Sequence, residues 1–413
     1  MHFSIPIHLG VVLLASLINA SVIVCPSGLG GKALYLQSNE QQNAVISIAI
    51  GNDGKLHGGI TTLTGGMGGD GINGMTHAPA GPDALSSQGS VFVIDDVSFL
   101  VTSSVHSQAN SNLQLVFVVN AGSNTLSMFR INKFDPTKIS RVGKPAKIPG
   151  EFPVTVTASI KRKTACVGYT GAKSGVSCAE FTPEGLQQMD QVIDFELHQT
   201  TPPVGPTNTV AQVFFAANDT RLITTVKGDP SAGKAGFVSV LPFKDSCSSV
   251  FESHDIRSSP PNTAVLFGGV EIPGTSDLFI TDASFGATVL SLDDVTDQVS
   301  LKHKITIENQ KATCWATYSP LRESVFLTDA ASNRLVEVRN DGSKILTILD
   351  LRNGDPGLTD VRAIGHYVYA LSPGNGTTVA AITVVDSFEG RQIQHFELDK
   401  LGAGQRSQGL AIF

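Results

Sequence analysis

The chain has 413 residues, of which 16% are charged and 7% aromatic, with 41 glycines. That length admits two average domains or one closed repeat architecture, and the absence of long charged runs excludes acidic or basic tails. Lys plus Arg total 29 against 36 Asp plus Glu, and with no basic cluster to gather a phosphate backbone the balance argues against nucleic acid as a partner.

Residues 1–20 read as a signal peptide: an apolar run over 9–17 precedes Ile18-Asn19-Ala20, a small-residue cleavage site. The run is shorter than the roughly 20 residues that span a bilayer. Residues 21–413 are therefore expected to be secreted, or held in the lumen of the secretory pathway, with no stable membrane anchor. Cys25, Cys166, Cys178, Cys247 and Cys314 follow the cleavage site, an odd number that leaves at least one without an intrachain partner. Cys166 and Cys178 flank a turn-like segment at 169–175, which points to a hairpin disulfide in an oxidising compartment. Asn218 and Asn375 head glycosylation sequons, which mark surface turns on a secreted chain.

From residue 34 onward one pattern recurs, an apolar strand, a polar turn and a second strand. Its copies begin at Leu34, Val116, Cys166, Ile223, Leu278, Val325 and Val368. The second reads VFVVNAGSNTLSMFRI, the fifth LFITDASFGATVLSL and the sixth VFLTDAASNRLVEV, hairpins with Asn/Asp-Ala-Gly/Ser turn chemistry. Most intervals lie near the period of about 50 residues expected when four strands make one blade. The pattern predicts an all-β, seven-bladed β-propeller as a single domain over 21–413. An apolar strand precedes most hairpins, such as Ala211-Gln-Val-Phe-Phe before Ile223, and these would be the innermost strands. The first hairpin lacks one, while Gln408-Gly-Leu-Ala-Ile-Phe413 has no hairpin after it. The two ends are therefore expected to share the first blade, closing the ring.

The first interval is longer because residues 61–90 form a Gly-rich insertion. Gly66-Met-Gly68-Gly-Asp-Gly71 formally matches a dinucleotide fingerprint, but it lies between hairpins with no helical period after it. A loop over the channel mouth is the expectation, with no phosphate cradle.

No nucleophile elbow, metal-binding helix or nucleotide loop is present, and no tight His/Cys cluster suggests zinc, so neither a cofactor nor a metal is predicted. A site for a small-molecule substrate must then be assembled across blades at the channel entrance. Ser87-Gln88-Gly89-Ser90 and Ser407-Gln408-Gly409-Leu410 share a motif at inner-strand starts, and Gln212 occupies the corresponding place in another blade. Three amides facing one funnel suit recognition of a carbonyl or lactone oxygen; the alternative is that they satisfy neighbouring backbone groups. Arg362 would polarise a carbonyl beside Gln88, Gln212 and Gln408, and Trp315 would form an apolar wall, with Asp360 and Arg406 in the same group. Inter-blade packing and a rim salt bridge are the plainer roles for these residues. His106 and His366 read as structural or exposed, since neither has a spaced carboxylate or nucleophile.

Asp83-Ala-Leu-Ser-Ser-Gln-Gly-Ser90, Val118-Val-Asn-Ala-Gly-Ser-Asn-Thr-Leu-Ser-Met-Phe129, Ala211-Gln-Val-Phe-Phe and Leu222-Ile-Thr-Thr-Val-Lys-Gly228 resemble segments of the lactonase-type seven-bladed propellers. That family includes phosphogluconolactonase-like and 3-carboxymuconate lactonising proteins, among them secreted fungal cyclase-like members. The resemblance implies the fold first and a lactone chemistry second. A looser likeness, carried by no motif, is to propeller-type fungal hetero-Diels–Alderases, which imply orientation and carbonyl polarisation without a nucleophile. The leading expectation is a cofactor-free ring-forming enzyme of secondary metabolism, in its most specific form a hetero-Diels–Alderase. A lactonase or lactonising enzyme and a non-catalytic secreted binding or adhesion propeller are the alternatives.

Overall fold

The computed structural model describes residues 33–95, 113–190, 192–244 and 250–413. The signal-peptide reading, Cys25, His106 and Cys247 all fall outside these residues. Seven antiparallel sheets form a closed ring, in which each inner strand contacts the next. In chain order the inner strands of blades 2 to 7 are Val91–Asp95, Pro153–Ser159, Val210–Ala216, Leu266–Glu271, Thr313–Ser319 and Thr359–Ile364. Blade 1 takes its inner strand from the far end of the chain: Gln408–Ile412 pairs antiparallel with Ala33–Gln37, with Leu34 opposite Ile412 and Tyr35 opposite Ala411. The fold is the seven-bladed propeller closed by the C-terminal strand. All seven repeated hairpins are the second and third strands of their blades.

Their sequences follow from where they sit. A blade is packed on both faces by its neighbours, so its middle strands are buried throughout, as in Thr164–Thr170 and Asp277–Asp282, and they read as near-continuous apolar and β-branched runs. Outer strands are mostly exposed, as in Leu56–Leu63. The apolar clusters lie between blades: Leu34, Ile46, Tyr369 and Ile382 join blades 1 and 7, and Phe279, Val289, Val325 and Val336 join blades 5 and 6. Cys166 faces Cys178 across adjacent strands of blade 3 and the two are disulfide-bonded. Asn218 and Asn375 are exposed.

The turn Asp residues have a definite task. Asp282 accepts N–H bonds from Ala264 and Val265, and Asp329 from Lys311 and Ala312. Each thereby fixes the chain as it enters the inner strand of its own blade.

The Gly-rich insertion begins later than its sequence suggests, because residues 61–63 still belong to the outer strand of blade 1. Beyond it the chain lies on the turns of blades 1 and 2: Gly68 N–H donates to Glu40 O (2.9 Å), Gly69 exchanges bonds with the Asn39 amide, and a Cβ at Gly68 would collide with the Asn39 carbonyl. These glycines serve close backbone approach. Ile72–Asn73 then pairs in parallel with Val204–Gly205 ahead of blade 4. Arg406 holds the loop through Asp70 (2.8 Å) and Glu40 (3.4 Å).

Candidate functional site

An inner strand has no further strand beside it, so its channel-facing edge carries unpaired N–H and C=O groups that need partners. Side chains of other blades supply them. Gln88 crosses the channel from blade 2 to blade 6, donating from Nε2 to Ala316 O (2.7 Å) and accepting at Oε1 from Ala316 N (3.0 Å). Gln212 Oε1 accepts from Gly269 N (2.6 Å). Asp360 accepts from Leu410 N (3.0 Å), and its other oxygen holds Arg362 at 2.9 Å. Gly89 and Gly409, at φ 80° and 75°, make the left-handed step at the entry to their strands, a conformation Asp360 adopts at φ 47° in blade 7. Trp315 is fully buried, its Nε1 donating to Ser87 O (3.0 Å) and its ring set edge-on against Phe267.

Most of the residues expected at the funnel are thus engaged in closing it. Gln88 and Trp315 plug the channel, Gln212 and Asp360 cap strand edges, Arg362 neutralises Asp360, and Arg406 latches the insertion. Gln408 is buried near Asp83, with its Nε2 lacking a hydrogen-bond partner in good geometry. His366 is exposed and lies against Phe388.

Above the plug a cavity of about 190 Å³ opens at the channel mouth, and none of the side chains just named lines it. Its wall is built from Val265, Phe267, Ala283, Ala312, Ala330 and Pro206, and the insertion covers one side with Asn73, Pro82, Asp83 and Ser86. Lys227 and Cys314 sit at its floor, 1% and 5% exposed. Lys227 Nζ donates to Ser86 O (2.6 Å) and Val210 O (3.2 Å) and stands 4.6 Å over the Phe267 ring. Asp83 is held at φ 68°, with Oδ1 buried and without a hydrogen-bond partner in good geometry.

Asp83 and Lys227 are near enough to interact electrostatically, yet no direct ion pair joins them. Burial pushes the Asp83 carboxyl well above the carboxylate range; Lys227, Gln408 and the Ser86 backbone oppose this, and the Asp360 charge adds to it. Burial likewise draws the Lys227 ammonium down, against the field of Asp83. The two affinities converge toward neutrality, the condition for exchanging a proton near pH 7. Cys314, the one free cysteine among the described residues, has its thiol pushed up by burial and is held neutral, so it is no thiolate nucleophile.

No family model and no curated protein matches the sequence. Solved structures do. A periplasmic gluconolactonase of Pseudomonas aeruginosa gives a TM-score of 0.61 over 92% of this chain and 98% of its own, at 13% identity. A provisionally named 6-phosphogluconolactonase of Bacteroides fragilis gives 0.58 over 93% and 99%, at 11% identity. A similarly named Bacteroides uniformis protein gives 0.53 over 67% and 80%, at 15% identity. The chain has the fold of the gluconolactonase propellers.

Within this seven-bladed ring the sequence held a signal for Lys227. Val226, Asp282 and Asp329 occupy the same register opposite Val210, Leu266 and Thr313. The next residues are therefore equivalent: Lys227, Ala283 and Ala330 all line the cavity, and one blade carries an amine where its neighbours carry a methyl group. Asp83 has no such signal, because it lies in the unrepeated insertion.

Proposed function

We propose that this propeller opens small lactones at the channel mouth, with Asp83 as general base and Lys227 as the oxyanion-stabilising cation. The observation that carries the reading is a half-buried Asp83, one carboxyl oxygen of which is fully enclosed, and a buried Lys227 amine on the wall of one cavity. Such a pair costs folding stability and is strongly perturbed, the combination found where acid–base chemistry is done. No contact ion pair ties the two groups to each other, and both line the same cavity. Asp83 takes a proton from the water as its oxygen bonds to the lactone carbonyl carbon. The oxyanion forms facing Lys227; the ring C–O bond then breaks and Asp83 returns the proton to the departing alkoxide. Run backwards, the same groups close a hydroxy acid into a lactone.

Alanines, Val265, Phe267 and Pro206 make most of the wall apolar, with Asn73 and Ser86 as the neutral polar residues on the insertion side, and the one cation lining the cavity already gives two N–H bonds to carbonyls, which leaves little to hold a phosphate. The preferred substrate is a small lactone with an apolar body, within a cavity smaller than the roughly 300 Å³ at which drug-sized sites begin. The plugged channel is what a binding propeller would also show, but adhesion has no use for two opposite charges buried apart. A cycloaddition needs free donors, and Gln88 and Gln212 already bond backbone; Asp83 and Lys227 favour proton transfer instead. The disulfide suits an oxidising compartment, so we place the protein outside the cytoplasm, with Asn218 and Asn375 accessible to glycosylation.

The test is turnover of alkyl-substituted γ- and δ-lactones beside glucono-δ-lactone, followed by mass spectrometry. Asp83→Asn should lower kcat by about 10²-fold or more with its unfolding midpoint retained. No turnover above background, or an unimpaired Asp83→Asn, would sink the reading.

A further inference from the structure

We propose that Lys227 is also a nucleophilic amine that captures small apolar aldehydes and ketones in this cavity as a Schiff base. The proposal shares the cavity with the lactone reading but not its chemistry. Three substituent positions surround Nζ beyond the side-chain carbon, and the Ser86 and Val210 carbonyls fix two of them through accepted N–H bonds. A neutral amine meeting both bonds places its two hydrogens there, which leaves its lone pair in the third position. The lysine lines the cavity floor at 1% exposure, and Phe267, Ala283, Ala312 and Ala330 surround the space with apolar surface. That surface penalises the ammonium and favours the amine. Asp83 and Cys314 are the titratable groups facing it. At about 30 Å³ per water, a cavity of about 190 Å³ suits a chain or ring of few carbons.

The chemistry closes without an oxidant. The amine nitrogen bonds to the carbonyl carbon as the C=O π pair goes to oxygen, and one N–H proton passes to that oxygen, giving a carbinolamine. Asp83 in its protonated form, which burial favours, then gives its proton to the hydroxyl, which leaves as water. The C=N bond forms as an iminium ion facing the Asp83 carboxylate. Hydrolysis reverses each step, so the adduct is transient unless reduced.

The experiment treats the full chain at pH 7 with butanal or cyclohexanone and sodium cyanoborohydride, then maps the alkylated lysines by peptide mass spectrometry. Each unit by which a lysine pKa is lowered gives about tenfold more free amine near neutrality, so Lys227 should label at least tenfold faster than any exposed lysine. Lys227→Arg should remove that labelling while leaving exposed lysines unchanged. Labelling confined to exposed lysines, or equal rates at Lys227 and elsewhere, overturns the proposal on the unmutated protein alone, whatever the variant's folding. Lactone turnover is read on the same preparation without aldehyde. Turnover without a Lys227 adduct refutes this inference and leaves the hydrolytic reading standing; an adduct without turnover does the reverse.

Discussion

Removing the Gln88 amide tests whether the channel is held shut by its own side chains. In Gln88→Ala the Ala316 N–H and C=O, bonded at 3.0 and 2.7 Å in the native ring, both lose their partner inside the protein. Each buried orphan costs about 1–3 kcal/mol, so the variant should be about 2–6 kcal/mol less stable, toward the lower end if a water enters. The sole tryptophan reports the event, because Trp315 is fully buried and bonded to the residue preceding Gln88. Urea unfolding followed by tryptophan fluorescence should show a lower midpoint at unchanged slope, with turnover per folded molecule retained. A Gln88→Ala variant that stays within about 0.5 kcal/mol of the parent yet loses turnover would refute a purely structural role for the amide. That result would place the amide on the substrate.

Other outcomes follow from the same structure. The kcat/KM for lactone opening should be bell-shaped. It falls at low pH as Asp83 protonates through its raised pKa and at high pH as Lys227 deprotonates through its lowered one. Both limbs then lie inside the interval from about 3.9 to 10.4 that unperturbed groups would give, and a flat pH–rate profile would contradict this. Deleting residues 408–413 strips blade 1 of its inner strand and removes Leu410 from the core between blades 1 and 7. Size-exclusion chromatography should show aggregate, and a monomer with the parental unfolding midpoint would refute the closure argument. Replacing Cys166 and Cys178 together by alanine opens a short cross-link with a sequence separation of 12. The loss expected is about 3 kcal/mol, measured by urea unfolding against the oxidised parent.

The ring was legible because a propeller writes its topology locally. Each hairpin from Leu34 to Val368 carries its own turn chemistry and its own two-sided burial, and the surplus strand at 408–413 could be paired by counting. The disulfide was legible for the same reason, since Cys166 and Cys178 are opposed within one hairpin. The site was not, because its members come from several blades and an insertion. Gln88 was found as a polar residue at an inner-strand start, but its partner is 228 residues away, and that distance hides whether an amide meets backbone or ligand. Lys227 and Asp83 lie inside segments that resemble the lactonase-type propellers, and such a likeness speaks to fold before chemistry. Aligning the repeats by strand register, rather than by turn motif, isolates Lys227 as the amine among alanines.

The Asp-Ala step at the end of each second strand in blades 5 and 6 divides labour between adjacent residues. Asp282 and Asp329 point back into the ring and cannot change without loosening a strand entry, while Ala283 and Ala330 present only a methyl group to the cavity. Mutation at the second position alters the volume and polarity offered to a ligand and leaves the first untouched. Such a scaffold can drift among substrates by single-residue steps, each nearly silent for folding, and relatives with this architecture should differ most in what they accept at these two alanines.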